Sequence, residues 1–173
     1  MKPRNISLAL LAALPSAVHA EDGWPRLNIH ESITVEATPA RAFEVVSRWD
    51  ALQSWCPAFV STEIRSGGTA VGSVRAIMLN NGPTFTEELL AVDQKALSYR
   101  YRIIESPLPI VDYVSTVKVL EAGGKTHVVW SSSYKRRARD KPTPEQNDAA
   151  MLSLVGGLYK ACLANARKVI EGR

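Results

Sequence analysis

The chain has 173 residues, with 21 Lys and Arg against 17 Asp and Glu, a formal net charge of +4, and 46% hydrophobic residues. That is long enough for one domain with its own core. The charge excess owes much to Lys2 and Arg4 at the extreme N-terminus and falls to +2 without them, so it does not point to a nucleic-acid or membrane partner.

The first residues carry their own signal. "MKPRN" is basic, "ISLALLAAL" is a short apolar run, and "VHA" ends on a small residue. Together these predict an export signal over residues 1–20, cleaved after Ala20, with delivery to the periplasm or the exterior. The apolar run is too short to span a bilayer, and no other stretch is expected to span one. Residues 21–29 read as a polar tether, and a single domain is expected over 30–173. In an exporting compartment two cysteines are free to pair.

"HESITVEA" alternates and predicts a first strand, with Ile33 and Val35 on one face. "TPARAFEVVSRW" predicts a helix capped by Thr38, with Pro39 at its first position and Phe43, Val46 and Trp49 at helical spacing. Asp50 is the expected cap of a second short helix, "DALQSW", ended by Pro57. From Phe59 the period becomes two. "FVSTEI", "GSVRAIML", "TFTEELLAV", "ALSYRYRII", "VDYVSTVKVL" and "THVVWSSSYKR" follow one another through short Gly, Asn and Asp turns, which predicts an antiparallel meander. The last segment opens with Thr143, Pro144 and Gln146 in capping-box order and predicts one long helix. Its apolar face is assigned to Met151, Leu154, Val155, Leu158, Cys162, Ala166 and Val169, and Gly156 and Gly157 lie inside it. The fold class is therefore α+β: a seven-stranded curved antiparallel sheet wrapped around a long C-terminal helix, with two short helices between strands 1 and 2. A strongly curled sheet leaves a cavity beneath the helix.

The segments "TPARAFEVVSRWDALQSWCP", "GSVRAIML", "TEELLAVDQKALSYRYRI", "PLPIVDYVSTVKV" and "HVVWSSSY", followed by the final helix, resemble the SRPBCC superfamily. This is the helix-grip group of Bet v 1-like allergens, START lipid-transfer domains, polyketide cyclases and dehydratases, and plant abscisic-acid receptors. Within it the chain is similar to exported bacterial members, among them the periplasmic accessory proteins encoded with methanol dehydrogenase. They share the "Y-x-Y-R" strand, the "LP-V" loop and "NDAA" at the helix start. The resemblance implies a helix-grip fold with an apolar cavity. It implies no single activity, because the fold hosts carriers, receptors, cyclases and docking accessories. The basic ligand-pairing residue of the plant receptors falls at Cys56, so hormone binding is not implied.

Strand parity selects the side chains that face the cavity. These are Phe85, Glu87 and Leu89; Tyr99, Tyr101 and Ile103; Tyr113, Ser115 and Val117; and Val128, Trp130, Ser132 and Tyr134, with Arg100 and Arg102 outside. The expected ligand-binding set is Trp55, Phe59, Phe85, Glu87, Tyr99, Tyr101, Tyr113, Ser115, Trp130, Leu154, Leu158 and Cys162. Inward tyrosines need partners for their hydroxyls, which suggests a partly polar pocket. Glu87 is the one candidate acid or base. A carboxylate on an apolar face needs a partner. Tyr113 and Ser115 would make it a ligand-orienting group, whereas Arg75 or another arginine at a strand edge would make it structural.

The remaining chemistry is sparse. His30 and His127 have no ligand at metal spacing, so no metal and no cofactor are expected. "KRRARDK" reads as a solvated loop or a contact for an acidic protein, and no nucleic acid is expected. In the helix-grip arrangement Cys56 and Cys162 fall at the same end of the cavity. A bridge requires Cα atoms within about 7 Å. Two cavity-wall residues are expected to lie farther apart than that, which puts two reduced thiols ahead of a disulfide and a redox-active pair last. The leading expectation for function is a non-catalytic carrier of a small apolar or amphipathic molecule. The alternatives are an accessory docking on a periplasmic dehydrogenase or electron-transfer partner, through Pro107–Ile110 and Lys135–Lys141, and a cyclase or dehydratase using Glu87 and a tyrosine.

Overall fold

The computed structural model describes residues 24–173. The expected leader, residues 1–20, lies outside the described residues. The elements run β1 (Leu27–Val35), α1 (Pro39–Val46), a 3-10 turn (Leu52–Ser54), β2 (Phe59–Ser66), β3 (Val74–Leu79), β4 (Thr84–Asp93), β5 (Ser98–Glu105), β6 (Ile110–Ala122), β7 (Lys125–Arg136), a second 3-10 turn (Pro144–Gln146) and α2 (Asp148–Glu171). The strands form one antiparallel seven-stranded sheet in the order β1-β7-β6-β5-β4-β3-β2, so only β1 leaves the meander to pair across with β7.

Local chemistry explains most of the boundaries. The Thr38 hydroxyl accepts the Arg41 N–H at 3.2 Å and starts α1, with Pro39 at its first position. Gly123 and Gly124 both have positive φ, 58° and 70°, as the tight turn between the paired Ala122 and Lys125 requires. Four expectations are corrected. The strand expected near His30 begins at Leu27, opposite Tyr134, because Leu27 is apolar and buries. Asp50 caps nothing: the short helix is a 3-10 turn with no side-chain cap. The capping box at Thr143 yields only the second 3-10 turn, and α2 starts later, where the Asn147 side chain accepts the Ala150 N–H at 2.9 Å. Finally, α2 is long and apolar enough, by length and composition, to cross a membrane. Here its apolar side packs on the sheet instead.

The face that α2 presents is also rotated from the expected one. Met151, Val155, Tyr159, Cys162, Leu163, Ala166 and Ile170 are buried, while Leu154 is 45% exposed and Leu158 and Val169 are half-buried. The buried set repeats at 151, 155, 159, 162/163, 166 and 170; both sets recur at helical spacing, and the position of the sheet selects this one. Gly156 lies on this side. A Cβ there would stand 3.6 Å from Glu31 and 3.7 Å from Ile29, an ordinary contact, so packing does not demand glycine.

Cys56 and Cys162 are bonded, with Cα atoms 4.3 Å apart. The expectation of two reduced thiols fails because the turn carrying Cys56 folds directly onto α2: Asn165 Nδ2 reaches the Trp55 carbonyl at 3.2 Å alongside the bridge. The bond closes a sequence separation of 106 residues. Loop-closure entropy then predicts that the Cys56→Ser/Cys162→Ser double variant loses about 3–5 kcal/mol of stability. Urea unfolding should show this as a lower midpoint, and a midpoint equal to that of the parent protein would contradict it.

Candidate functional site

Between α2 and the concave face of the sheet, an aromatic cluster is joined by hydroxyl groups. Trp130 of β7 stacks on Tyr159 of α2, with centroids 4.0 Å apart and an interplanar angle of 11°. Trp130 Nε1 donates to Ser115 Oγ at 2.9 Å and to Tyr101 Oη at 3.2 Å. Ser115 Oγ in turn donates to the Ser131 carbonyl at 2.8 Å and lies 3.3 Å from Tyr159 Oη. The Tyr113 hydroxyl bonds that of Tyr159 and lies 3.4 Å from that of Tyr101. The hydroxyls of Tyr101, Tyr113, Ser115 and Tyr159 therefore satisfy one another, whereas that of Ser132, also inward by parity, is buried without a hydrogen-bond partner. Burial pushes the Tyr159 phenol up to about 12, and those of Tyr101 and Tyr113 well above their ordinary value. All three stay protonated at neutral pH, and none can act as a base.

Glu87 meets Arg75, and not Tyr113 or Ser115. Arg75 Nε and Nη2 both reach Glu87 Oε2, at 2.8 and 2.7 Å, from the neighbouring strand in register with it. The pair is not at a solvated edge: Arg75 is 2% and Glu87 3% exposed. Arg75 Nη1 donates to the Trp49 carbonyl at 2.8 Å, and the guanidinium lies 3.7 Å from the Trp49 ring centroid. An arginine suits this place because its planar fork bonds a carboxylate and a carbonyl while stacking on an indole. Burial raises the Glu87 carboxyl above its ordinary value of 4.5, and Arg75 opposes that rise.

Among the described residues, a pocket of about 30 Å³ lies between α2 and the sheet. It is lined by Phe59, Phe85, Glu87, Tyr101, Tyr113, Trp130 and Leu158 from the expected set, by Ile103 and Val155, expected to face inward but not in that set, and by Leu52, Ile77, Leu108, Ile110 and Tyr159, which were not expected there. Trp55, Tyr99, Ser115 and Cys162 are buried but do not line it: Trp55 packs against Trp130 at 5.4 Å, and Tyr99 against Trp49 at 6.5 Å. Leu154 faces away. The large cavity expected beneath the helix is thus filled by the core's own rings. Tyr159 was legible in principle, from its place in the 3.6-residue repeat of α2. Among the described residues no group of three His, Cys, Asp or Glu could hold a metal ion.

Outside, two clefts lie on the convex face. One of about 740 Å³ is bounded by Arg26, Arg102, Arg137 and the diverging ends of β5 and β6. A second, also about 740 Å³, runs on over Arg26, His30, Arg100, Thr116 and Ser131.

This architecture has counterparts. Residues 26–171 match the family of polyketide cyclase / dehydrase and lipid transport proteins. The chain belongs to this family, and with it to the SRPBCC superfamily. Among solved structures it is similar to the protein XoxI from Bacillus cereus, at 23% identity and a TM-score of 0.73, over 83% of this chain and 95% of that one. It is also similar to Ara h 8.0201, at 21% identity and a TM-score of 0.60 over 82% and 98% of the two chains. The major latex-like protein 151 of Panax ginseng matches at 19% identity and a TM-score of 0.64, over 85% and 96%. These likenesses establish the helix-grip fold. No curated protein matches.

The buried pair gives a direct prediction. Arg75→Met strands a buried carboxylate and should cost about 3–5 kcal/mol, most of it recovered in Arg75→Met/Glu87→Leu. A double variant as unstable as the single one would contradict this. A raised folded value for Glu87 means that the folded state holds the proton more tightly than the unfolded state. Its contribution to stability is therefore present below 4.5 and lost as pH rises through the raised value. Glu87→Gln should remove that slope from the denaturation midpoint measured against pH.

Proposed function

We propose that this chain is an exported, non-catalytic binding protein that meets a protein partner on the outside of its sheet. The observation that supports this reading is the closed interior. A pocket of about 30 Å³ holds roughly one water molecule, whereas ligand cavities run to about 300–1,000 Å³. Enlarging it would mean parting the Trp130–Tyr159 stack and its hydroxyl chain, in a region the Cys56–Cys162 bridge clamps. The cyclase or dehydratase reading loses its residues: the Glu87 carboxylate is held by Arg75, and the tyrosines stay protonated. The accessory reading keeps part of its surfaces. Ile110 and Lys135 are buried, but Pro107, Arg137, Arg139, Asp140 and Lys141 are exposed on the segments flanking the cleft beside Arg102 and Arg137. The partner proposed is a protein of the same exported compartment, with a dehydrogenase or electron-transfer protein as the candidate that the "Y-x-Y-R" and "LP-V" resemblance supplies.

A second reading, binding of a small amphipathic molecule, is favoured by one feature. The pocket is apolar except for Glu87 and tyrosine hydroxyls at its inner end, and half-buried Leu108 and Leu158 stand in its wall. Native mass spectrometry of the protein purified from the cells that make it separates the two. The docking reading expects the mass of the oxidised polypeptide alone. A retained acyl-chain or polyketide-sized molecule would overturn it in favour of the second.

A further inference from the structure

The docking reading leaves open where the partner sits and what its chemistry is. The strand register answers both. Two rows of side chains cross the convex face, Asn28–Ser133–Val114–Arg102 and His30–Ser131–Thr116–Arg100. The two central strands, β6 and β7, contribute only short side chains, and all four are half-buried. The flanking strands and the segment before β1 contribute long exposed ones, Arg100 and Arg102 on one side and Arg26 on the other. The result is a trough with a hydroxyl-bearing floor and arginine walls, spanning the two adjoining clefts that share Arg26 and Val114. At about 4.8 Å per strand, β1 and β5 stand roughly 14 Å apart, the width of one extended peptide with its side chains.

The charges in the trough differ from most of those outside it. Arg41 pairs with Glu44, Arg65 with Glu63, Arg75 with Glu87, Arg136 with Asp148 and Arg167 with Glu171. Among the described residues no carboxylate lies within 4.0 Å of Arg26, Arg100 or Arg137, and Arg102 shares its charge with Glu88. Arg26 is held in place by Ser133 Oγ at 2.9 Å and the Asp112 carbonyl at 2.8 Å, and Arg137 by the Ser106 carbonyl at 3.1 Å. Besides Glu88 on Arg102, the carboxylates at the trough are Asp112 and Glu105, which line one end of it, where Glu105 bonds Thr86. At that same end β5–β6 pairing stops at Arg102–Val114, and Ile104 is 50% exposed beside Val111. Open strand edges there can take main-chain hydrogen bonds, and Ile104 an aliphatic side chain.

We propose that this trough docks an extended acidic segment of the partner protein, with carboxylates on Arg26, Arg100 and Arg137 and an aliphatic residue against Ile104. The proposal rests on the docking reading and assigns its surface. It is tested on the full oxidised protein by fluorescence anisotropy, with a fluorescein-labelled peptide of four Glu-Leu repeats and its Gln-Leu counterpart. The glutamate peptide is expected to bind at least about tenfold tighter at low salt and to lose that advantage as salt rises. Arg100→Glu, which breaks no internal pair, should weaken it about tenfold. Ser131→Tyr, which fills the floor without changing charge, should weaken both peptides. Arg48→Glu makes the same charge change outside both clefts and should leave binding within about twofold. Equal binding of the two peptides, or an equal loss in Arg48→Glu and Arg100→Glu, overturns the trough. Neither result touches the mass-spectrometric test of the docking reading, whose failure is read from a retained small molecule.

Discussion

The interior of this protein depends on how α2 is fixed to the sheet. Three contacts along α2 do this. Cys162 is bonded to Cys56, Tyr159 is stacked on Trp130, and the Met151 carbonyl accepts the Tyr134 hydroxyl at 3.0 Å. A helix laid across a curved sheet can stand off and enclose a cavity, or sink until ring meets ring. Here the covalent bridge and the stack hold it in the second position, and the hydroxyls of Tyr101, Tyr113, Ser115 and Tyr159 close on one another. The same contacts that stabilise the core leave little room inside it.

That constraint changes what the inward polar residues mean. A glutamate and several tyrosines on the concave face would be ligand-orienting groups in an open cavity. In a closed one they are a satisfied network and a buried ion pair. Arg75 decides the matter for Glu87, because its guanidinium simultaneously covers Trp49 and bonds the carbonyl that follows α1. A buried pair of this kind is weak evidence for stability but strong evidence against a free carboxylate. The proposed docking role rests on the convex face, where short floor residues between long basic ones form a trough.

Much of this was legible in the chain. The period-two runs, the turn glycines and the Thr38–Pro39 start determine the meander and α1, since these depend on local sterics and local hydrogen bonds. Parity correctly sent Glu87, Tyr101, Tyr113 and Trp130 inward and Arg100 and Arg102 outward, because side-chain direction alternates whatever the strand pairs with. The face of α2 was read one position off. Leu154 and Tyr159 are both plausible inward residues by composition, and only the position of the sheet chooses between them.

What the sequence by itself determined is the order of elements, the sheet with its covering helix, and the membership that follows from them. Three things belong to the tertiary structure: that Cys56 and Cys162 bond, that Glu87 meets Arg75 deep in the core, and that the space beneath α2 closes. Each depends on distances between segments far apart in the chain. Those distances are set by how closely the helix packs against the curved sheet, and residue types at their spacings do not carry that information.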